Sequence, residues 1–129
     1  MKRKFLSVII VSLNTKKDFL RTLKSCLNQN KKNIEIIVID GKSIDGTIDE
    51  ILKYKKKIFK ILIQKDKGIY DAMNKGIKLA KGSWIIFMNS GDIFYNKNVT
   101  KKLSSFCAKY KNDNKIIFGN TILVDKYDN

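Results

Sequence analysis

Four apolar runs, LSVIIVS at 6–12, IEIIVI at 34–39, IFKILI at 58–63 and WIIFM at 84–88, recur along the chain with helix-patterned stretches between them. Leu6 to Ser12 is continuous and β-branched, which predicts a strand buried on both faces. A helix follows from Asn14 or Thr15, with Thr15 as N-cap, Asp18 in the first turn, and Phe19, Leu20, Leu23 and Leu27 on one apolar face. Ile34 to Ile39 forms a second strand, ended by Asp40. Thr47 and Glu50 have capping-box spacing ahead of a helix from about Ile48 to Tyr54. Ile58 to Ile63 is a third strand and Gln64 to Gly68 a loop. Ile69, Ala72, Met73, Gly76, Ile77 and Ala80 then recur at helical spacing, with Gly82 as the C-cap. Trp84 to Met88 is a fourth strand, Asn98 to Tyr110 a helix, and Ile116 to Phe118 a short terminal strand. This βαβαβαβ order predicts a single α/β domain over residues 1–129, a three-layer α/β/α arrangement around a mainly parallel, Rossmann-like sheet.

The polar loops gather at the carboxyl ends of the predicted strands: SLNT, DGKSIDG, QKDKG and NSGD. In an open parallel sheet that edge is where ligands bind. Its carboxylates and amides, Asp40, Asp45, Asp66, Asn89 and Asp92, are also ordinary turn formers. Taken together they suit ribose hydroxyls, a base N–H, and a divalent cation bridging a diphosphate. Two familiar phosphate loops are excluded. No G-x-G-x-x-G follows the first strand, and Gly41-Lys42-Ser43 lacks the P-loop's earlier glycine, because residue 36 is isoleucine.

Composition narrows the chemistry further. The chain has no histidine, which removes Ser-His, Cys-His and His-metal mechanisms. Cys26 and Cys107 lack metal-ligand spacing and read as reduced core residues, in keeping with a cytoplasmic setting. The N-terminal MKRKFLSVIIVSLNTKK mimics a signal peptide, but no small-residue cleavage site follows, so it reads as the first strand. A net charge of +15 favours anionic partners such as nucleotide phosphates or an acidic membrane face. Most lysines fall on apparent helix faces or ends and read as a solvated surface. No aromatic-basic recognition motif accompanies them, so nucleic acid is not expected as a partner.

Three blocks, SVIIVSLN, IEIIVIDGKSIDGT and KDKGIYDAMNKGIKLAKGSWIIFMNSGD, make the chain resemble the family 2 glycosyltransferases of GT-A fold, especially bacterial members that build surface polysaccharides. The resemblance implies inverting transfer of a sugar from a nucleotide-diphosphate sugar to a saccharide or lipid-linked acceptor, with Mg²⁺ or Mn²⁺ as cofactor. It places Ser12 and Asn14 at the base and ribose, gives Asp40 to the base and Asp66 to the nucleoside, and puts Lys67 at phosphate. Asn74 falls on the Asn of the family's R-N-x-G motif, with Met73 in place of the Arg. The NSGD loop stands for the family's D-x-D. Asn89 lies near the ribose, Ser90 and Gly91 line the donor, and Asp92 is the metal ligand.

Two departures follow from the same comparison. Asn89 and Gly91 replace the usual pair of carboxylates, which leaves Asp92 alone and weakens the expected hold on metal. Family members also continue well beyond this length, so the catalytic base has no matched position; Asp113, Asp125 and Asp128 are available carboxylates without a motif. A truncated nucleotide-sugar-binding part that needs its partner half is therefore an alternative to a complete enzyme. A basic protein of membrane surfaces or nucleic acid is a third reading. Peripheral contact with the inner face of the plasma membrane and homo-oligomer formation are both compatible with the first.

Overall fold

The computed structural model describes residues 4–30, 33–110 and 115–124. Four strands form one sheet in the order β3-β2-β1-β4: β1 Leu6–Ser12, β2 Ile34–Asp40, β3 Lys60–Ile63 and β4 Trp84–Asn89. All three pairings are parallel. The connecting helices are α1 Lys16–Leu27, α2 Thr47–Lys53 and α3 Ile69–Leu79, and α4 Val99–Cys107 follows β4.

Alternate residues of β1 and β2 feed two cores. Leu6, Val8, Ile10, Ile34, Ile36 and Val38 pack with Phe19 and Leu23 of α1 and Ile51 of α2, with Val99 and Leu103 of α4 against the same cluster. On the other face Ile9, Val11, Ile37 and Ile39 pack with Ala72 and Met73 of α3. Strands buried on both faces need continuous apolar sequence, which is why β1 and β2 read as unbroken runs. A right-handed crossover moves along the sheet in one direction for a helix on a given face. The path β1-β2-β3 therefore carries α1 and α2 on one face, and the return from β3 to β4 carries α3 on the other. The reversal lies between β1 and β4, and their carboxyl ends open a crevice there.

Close approach explains two glycines. A Cβ on Gly76 would lie 2.5 Å from Cγ2 of Ile9, so α3 sits directly on β1. Gly82 is not the helix C-cap that its spacing predicts: α3 ends at Leu79 with Ala80 as the cap. Gly82 instead passes against β1, where its N–H donates to Ser7 Oγ at 2.8 Å. Ser7 in turn donates to the buried Glu35 carboxylate at 2.6 Å, which also accepts the Lys81 N–H at 2.6 Å. This network fixes the α3–β4 turn at the amino end of the sheet.

Other expectations are also corrected. Thr15 occupies the N-cap position of α1 but makes no capping bond. Gly46, not Thr47, is the N-cap of α2, so the Thr47–Glu50 capping box does not form. Glu50 pairs with Lys53 and Lys16 instead. β3 starts at Lys60, two residues later than predicted, after a 3₁₀ turn at Lys55–Lys57. The expected strand at 116–118 is not regular structure; Ile116 and Phe118 stand in solvent. Asp113, Asp125 and Asp128 lie outside the described residues. Among the described residues β4 is an edge strand, and Ile85 (39% exposed) and Phe87 (36% exposed) look outward on the face that α3 covers elsewhere.

A Cβ on Gly82 would stand 2.5 Å from the Ser7 backbone nitrogen, which cannot move aside as a flexible side chain could. Gly82→Ala should lower stability by about 1–3 kcal/mol in urea unfolding. Gly119→Ala, where nothing lies within 4 Å, should leave the midpoint unchanged.

Candidate functional site

Ser12 and Asp40 end β1 and β2 as register partners, so the loops that follow start side by side. Asp40 is fully buried. One of its oxygens accepts the Ser12 hydroxyl at 2.8 Å and the Ser43 hydroxyl at 2.7 Å, and the other accepts the Ser43 N–H at 2.7 Å. Ser43 Oγ then accepts the Asn14 N–H at 2.8 Å, and Asn14 Oδ1 accepts the Ile44 N–H at 2.7 Å. Asn14 and Lys42 adopt left-handed backbone (φ 52° and 68°), a conformation in which asparagine is tolerated. The two loops thus form one hydrogen-bonded unit.

Asp45 holds the helices that leave it. Its carboxylate accepts the Lys16 N–H at the start of α1 at 2.9 Å, and the N–H and hydroxyl of Thr47 at the start of α2. The Thr47 hydroxyl, and next the Lys16 N–H, draw its pKa below the usual carboxylate value. Asp66, on the loop after β3, accepts the Gly68 N–H at 3.0 Å with one oxygen. Its other oxygen lies 2.7 Å from where a Cβ on Gly41 would be, beside the half-exposed Leu13. Glycine at 41 is what lets this loop close onto the first two. Lys67 is exposed, and its N–H donates to Asp71 at 2.9 Å. That bond first, and the Lys75 ammonium second, lower the Asp71 pKa. Asn74 is exposed on α3.

Across β1, the NSGD turn closes on itself. Asp92 Oδ2 accepts the Asn89 N–H and the Asp92 N–H donates to the Asn89 carbonyl, both at 2.9 Å. Ser90 Oγ donates to the Val11 carbonyl at 3.1 Å, tying the turn to β1. Gly91 has φ 106°, a left-handed conformation that favours glycine. A Cβ there would meet only the Asp18 side chain, 3.9 Å away.

Ser12, Asn14, Asp40 and Asp66 therefore gather on one side of the crevice and Asn89 to Asp92 on the other, while Lys67 and Asn74 lie toward α3. The strand-end carboxylates do not converge: no group of three or more His, Cys, Asp or Glu among the described residues is placed to hold a metal ion. Two side chains that the motifs did not point to, Thr22 and Asp18, both come from α1. Thr22 accepts the Gly91 N–H at 2.8 Å. A hydroxyl set among Phe19, Leu23 and Cys26 on the buried face was the available signal.

The family model described as Glycosyl transferase family 2 matches residues 7–124. The Escherichia coli UDP-Glc:alpha-D-GlcNAc-diphosphoundecaprenol beta-1,3-glucosyltransferase WfaP is 41% identical over 100 residues, covering 77% of this chain and 38% of that protein. Residues 1–349 of S. aureus TarS, solved in complex with UDP-GlcNAc, superpose with a TM-score of 0.74 and 27% identity, over 82% of this chain and 32% of that one. The Pyrobaculum calidifontis mannosyltransferase PcManGT, solved in complex with GDP-Man and Mn²⁺, shares the fold at 18% identity and a TM-score of 0.70, over 87% of this chain and 33% of its own. The chain spans less than half the length of the curated relatives it matches.

A carboxylate whose folded-state pKa is lowered stabilises fully above its unfolded pKa and loses that contribution as pH falls through the folded value. Asp45→Ala should therefore unfold at a lower temperature than wild type at pH 7. The gap should narrow as the pH falls below about 4, where carboxylates protonate.

Proposed function

The chain belongs to glycosyl transferase family 2, and from that membership we propose that it binds the nucleotide-diphosphate sugar of an inverting glycosyltransferase in surface polysaccharide biosynthesis. The observation that carries this is the crevice between β1 and β4, where a bare left-handed glycine, Gly91, stands beside Asp92. A backbone without a side chain admits a diphosphate closely.

In this reading Leu13, Asn14 and Asp66 hold the nucleoside, with the free oxygen of Asp66 as acceptor for a base or ribose donor. Asp40, whose oxygens are occupied by Ser12 and Ser43, keeps the first two loops in register and bears on the base through them. Lys67 meets phosphate, Asn89 and Ser90 line the ribose side, and Asn74 faces the donor from α3. An acceptor hydroxyl attacks the anomeric carbon as its bond to the diphosphate oxygen breaks. The anomeric configuration inverts, and the hydroxyl proton passes to a base for which these residues supply no candidate.

Oxygen donors of the kind present suit Mg²⁺ or Mn²⁺ held by one or two carboxylates and completed by substrate phosphates. Asp92, through the oxygen not bonded to Asn89, would hold it, with the Asp18 side chain beside Gly91 as a further carboxylate. Such a cation offsets the charge that develops on the leaving diphosphate.

WfaP's lipid-linked acceptor makes a lipid-linked saccharide the first acceptor to test. That would place the work at the cytoplasmic face of a membrane, which the +15 charge suits. No helix among the described residues is long and apolar enough to cross one. A second reading, a donor-binding module that needs another chain segment for transfer, is favoured by the uncovered Ile85 and Phe87 on β4.

Calorimetric titration with UDP-, GDP- and dTDP-sugars, with and without Mn²⁺, tests both. Wild type should bind one donor class in a metal-dependent way, and Asp92→Ala should weaken it about tenfold, or about 1.4 kcal/mol. Binding without transfer would favour the second reading. Failure of every donor to bind would overturn both.

A further inference from the structure

The segment from Ser90 to Asn98 links β4 to α4 and belongs to neither strand nor helix, so its backbone groups need partners from elsewhere. They find them on α1 and the residues just past its end. The Thr22 hydroxyl accepts the Gly91 N–H at 2.8 Å and donates to the Asn89 carbonyl at 3.3 Å. One turn on, Ser25 Oγ accepts the Phe94 N–H at 2.8 Å. Gln29, only 6% exposed, donates to the Asn96 carbonyl at 2.8 Å and accepts the Thr100 N–H at 3.1 Å. Thr22 and Ser25 share one face of α1 at i, i+3 spacing, and Gln29 continues the row two residues past the end of the helix. The row of polar side chains runs beside the apolar face of α1 and reads the main chain of the following loop rung by rung.

We propose that this row is a positioning device for the donor edge, and that Thr22 is its decisive member. A single buried hydroxyl bridges the residues on either side of Ser90, so it fixes the angle at which Gly91 presents its bare backbone and Asp92 its carboxylate. Thr22 is completely buried, so it acts on a donor through Asn89 and Gly91 and not by direct contact. Ser25 and Gln29 hold the remainder of the loop, so the turn cannot swing outward as a unit. Asp45 bonds the first N–H of the same helix. The loop after β2 and the loop after β4 are thereby referred to one rigid body, α1. This inference rests on the reading of the NSGD turn as the donor edge.

The test pairs Thr22→Val, which keeps the shape and removes the hydroxyl, with Thr22→Ser, which keeps the hydroxyl. Amide exchange followed by NMR reads the clamp directly, independently of any ligand. Thr22→Val should expose the Gly91 amide, speeding its exchange about tenfold or more, while Thr22→Ser should leave it protected. Titration with UDP-GlcNAc and Mn²⁺ should show about tenfold weaker binding for Thr22→Val and near wild-type binding for Thr22→Ser. Gly82→Ala is the control for mere loss of stability. It should lower the melting temperature yet leave Gly91 exchange and donor binding unchanged under folded conditions. Should Thr22→Val fail to fold, Ser25→Ala should release the Phe94 amide selectively. The proposal is overturned if Gly91 exchanges at the wild-type rate in Thr22→Val, or if Gly82→Ala weakens donor binding as much as Thr22→Val does. If wild type binds no donor, the functional reading fails while Gly91 exchange still decides the clamp.

Discussion

A carboxylate shut away from water at the end of β2 is the interaction on which the site edge depends. Burying an ionised group is costly unless donors surround it. Asp40 meets that condition with the hydroxyls of Ser12 and Ser43 and the Ser43 N–H. The same three bonds join the ends of two strands and the loop that returns over them. Removing a donor would weaken the hold on this buried carboxyl group and loosen the join between the loops after β1 and β2, which the Asn14 bonds to Ser43 and Ile44 would still span. Asn14, Ile44 and Asp45 take their places from this arrangement, and Asp45 then sets where α1 and α2 begin.

Much of the architecture is legible because parallel strands buried on both faces need apolar runs that alternation would break. LSVIIVS and IEIIVI could not be half-exposed strands, and the helices between them carry a clear apolar stripe. Local capping rules succeeded less well. Thr15 and Thr47 stand where caps should be, yet Asp45 serves both helix starts, 29 residues from Lys16 and only two from Thr47. A rule built on neighbours within one turn cannot see a donor and acceptor brought together by sheet register. Gly82 misled for a related reason: its lack of a side chain answers to the backbone of Ser7, not to the helix that it follows.

The site shows the same division. Carboxylates and amides at strand ends were visible as a pattern, and family resemblance ordered them along the donor. Their partners were not visible. Nothing in the sequence says that Asp40 faces inward, that Gly41 makes room for Asp66, or that Thr22 reaches the NSGD turn. These depend on which strands are neighbours and on the right-handed crossovers that put α1 beside β4. The loop chemistry is therefore borrowed from α1 as much as from the strands that end in it.

The open edge of β4 has a consequence for how the chain behaves among its own copies. Among the described residues no strand pairs with the outer side of β4, and an edge strand with outward Ile85 and Phe87 is a template for pairing with another sheet. Proteins commonly guard such edges with local charge, but along β4 itself there is none. The guard here is global: a charge of +15 on a chain of this size makes two copies repel before their edges meet. That repulsion reaches only about 8 Å at physiological salt. Colloidal stability and electrostatic attraction to an anionic surface then draw on the same lysines, so neutralising them at such a surface would also bring neighbouring edges within reach of one another.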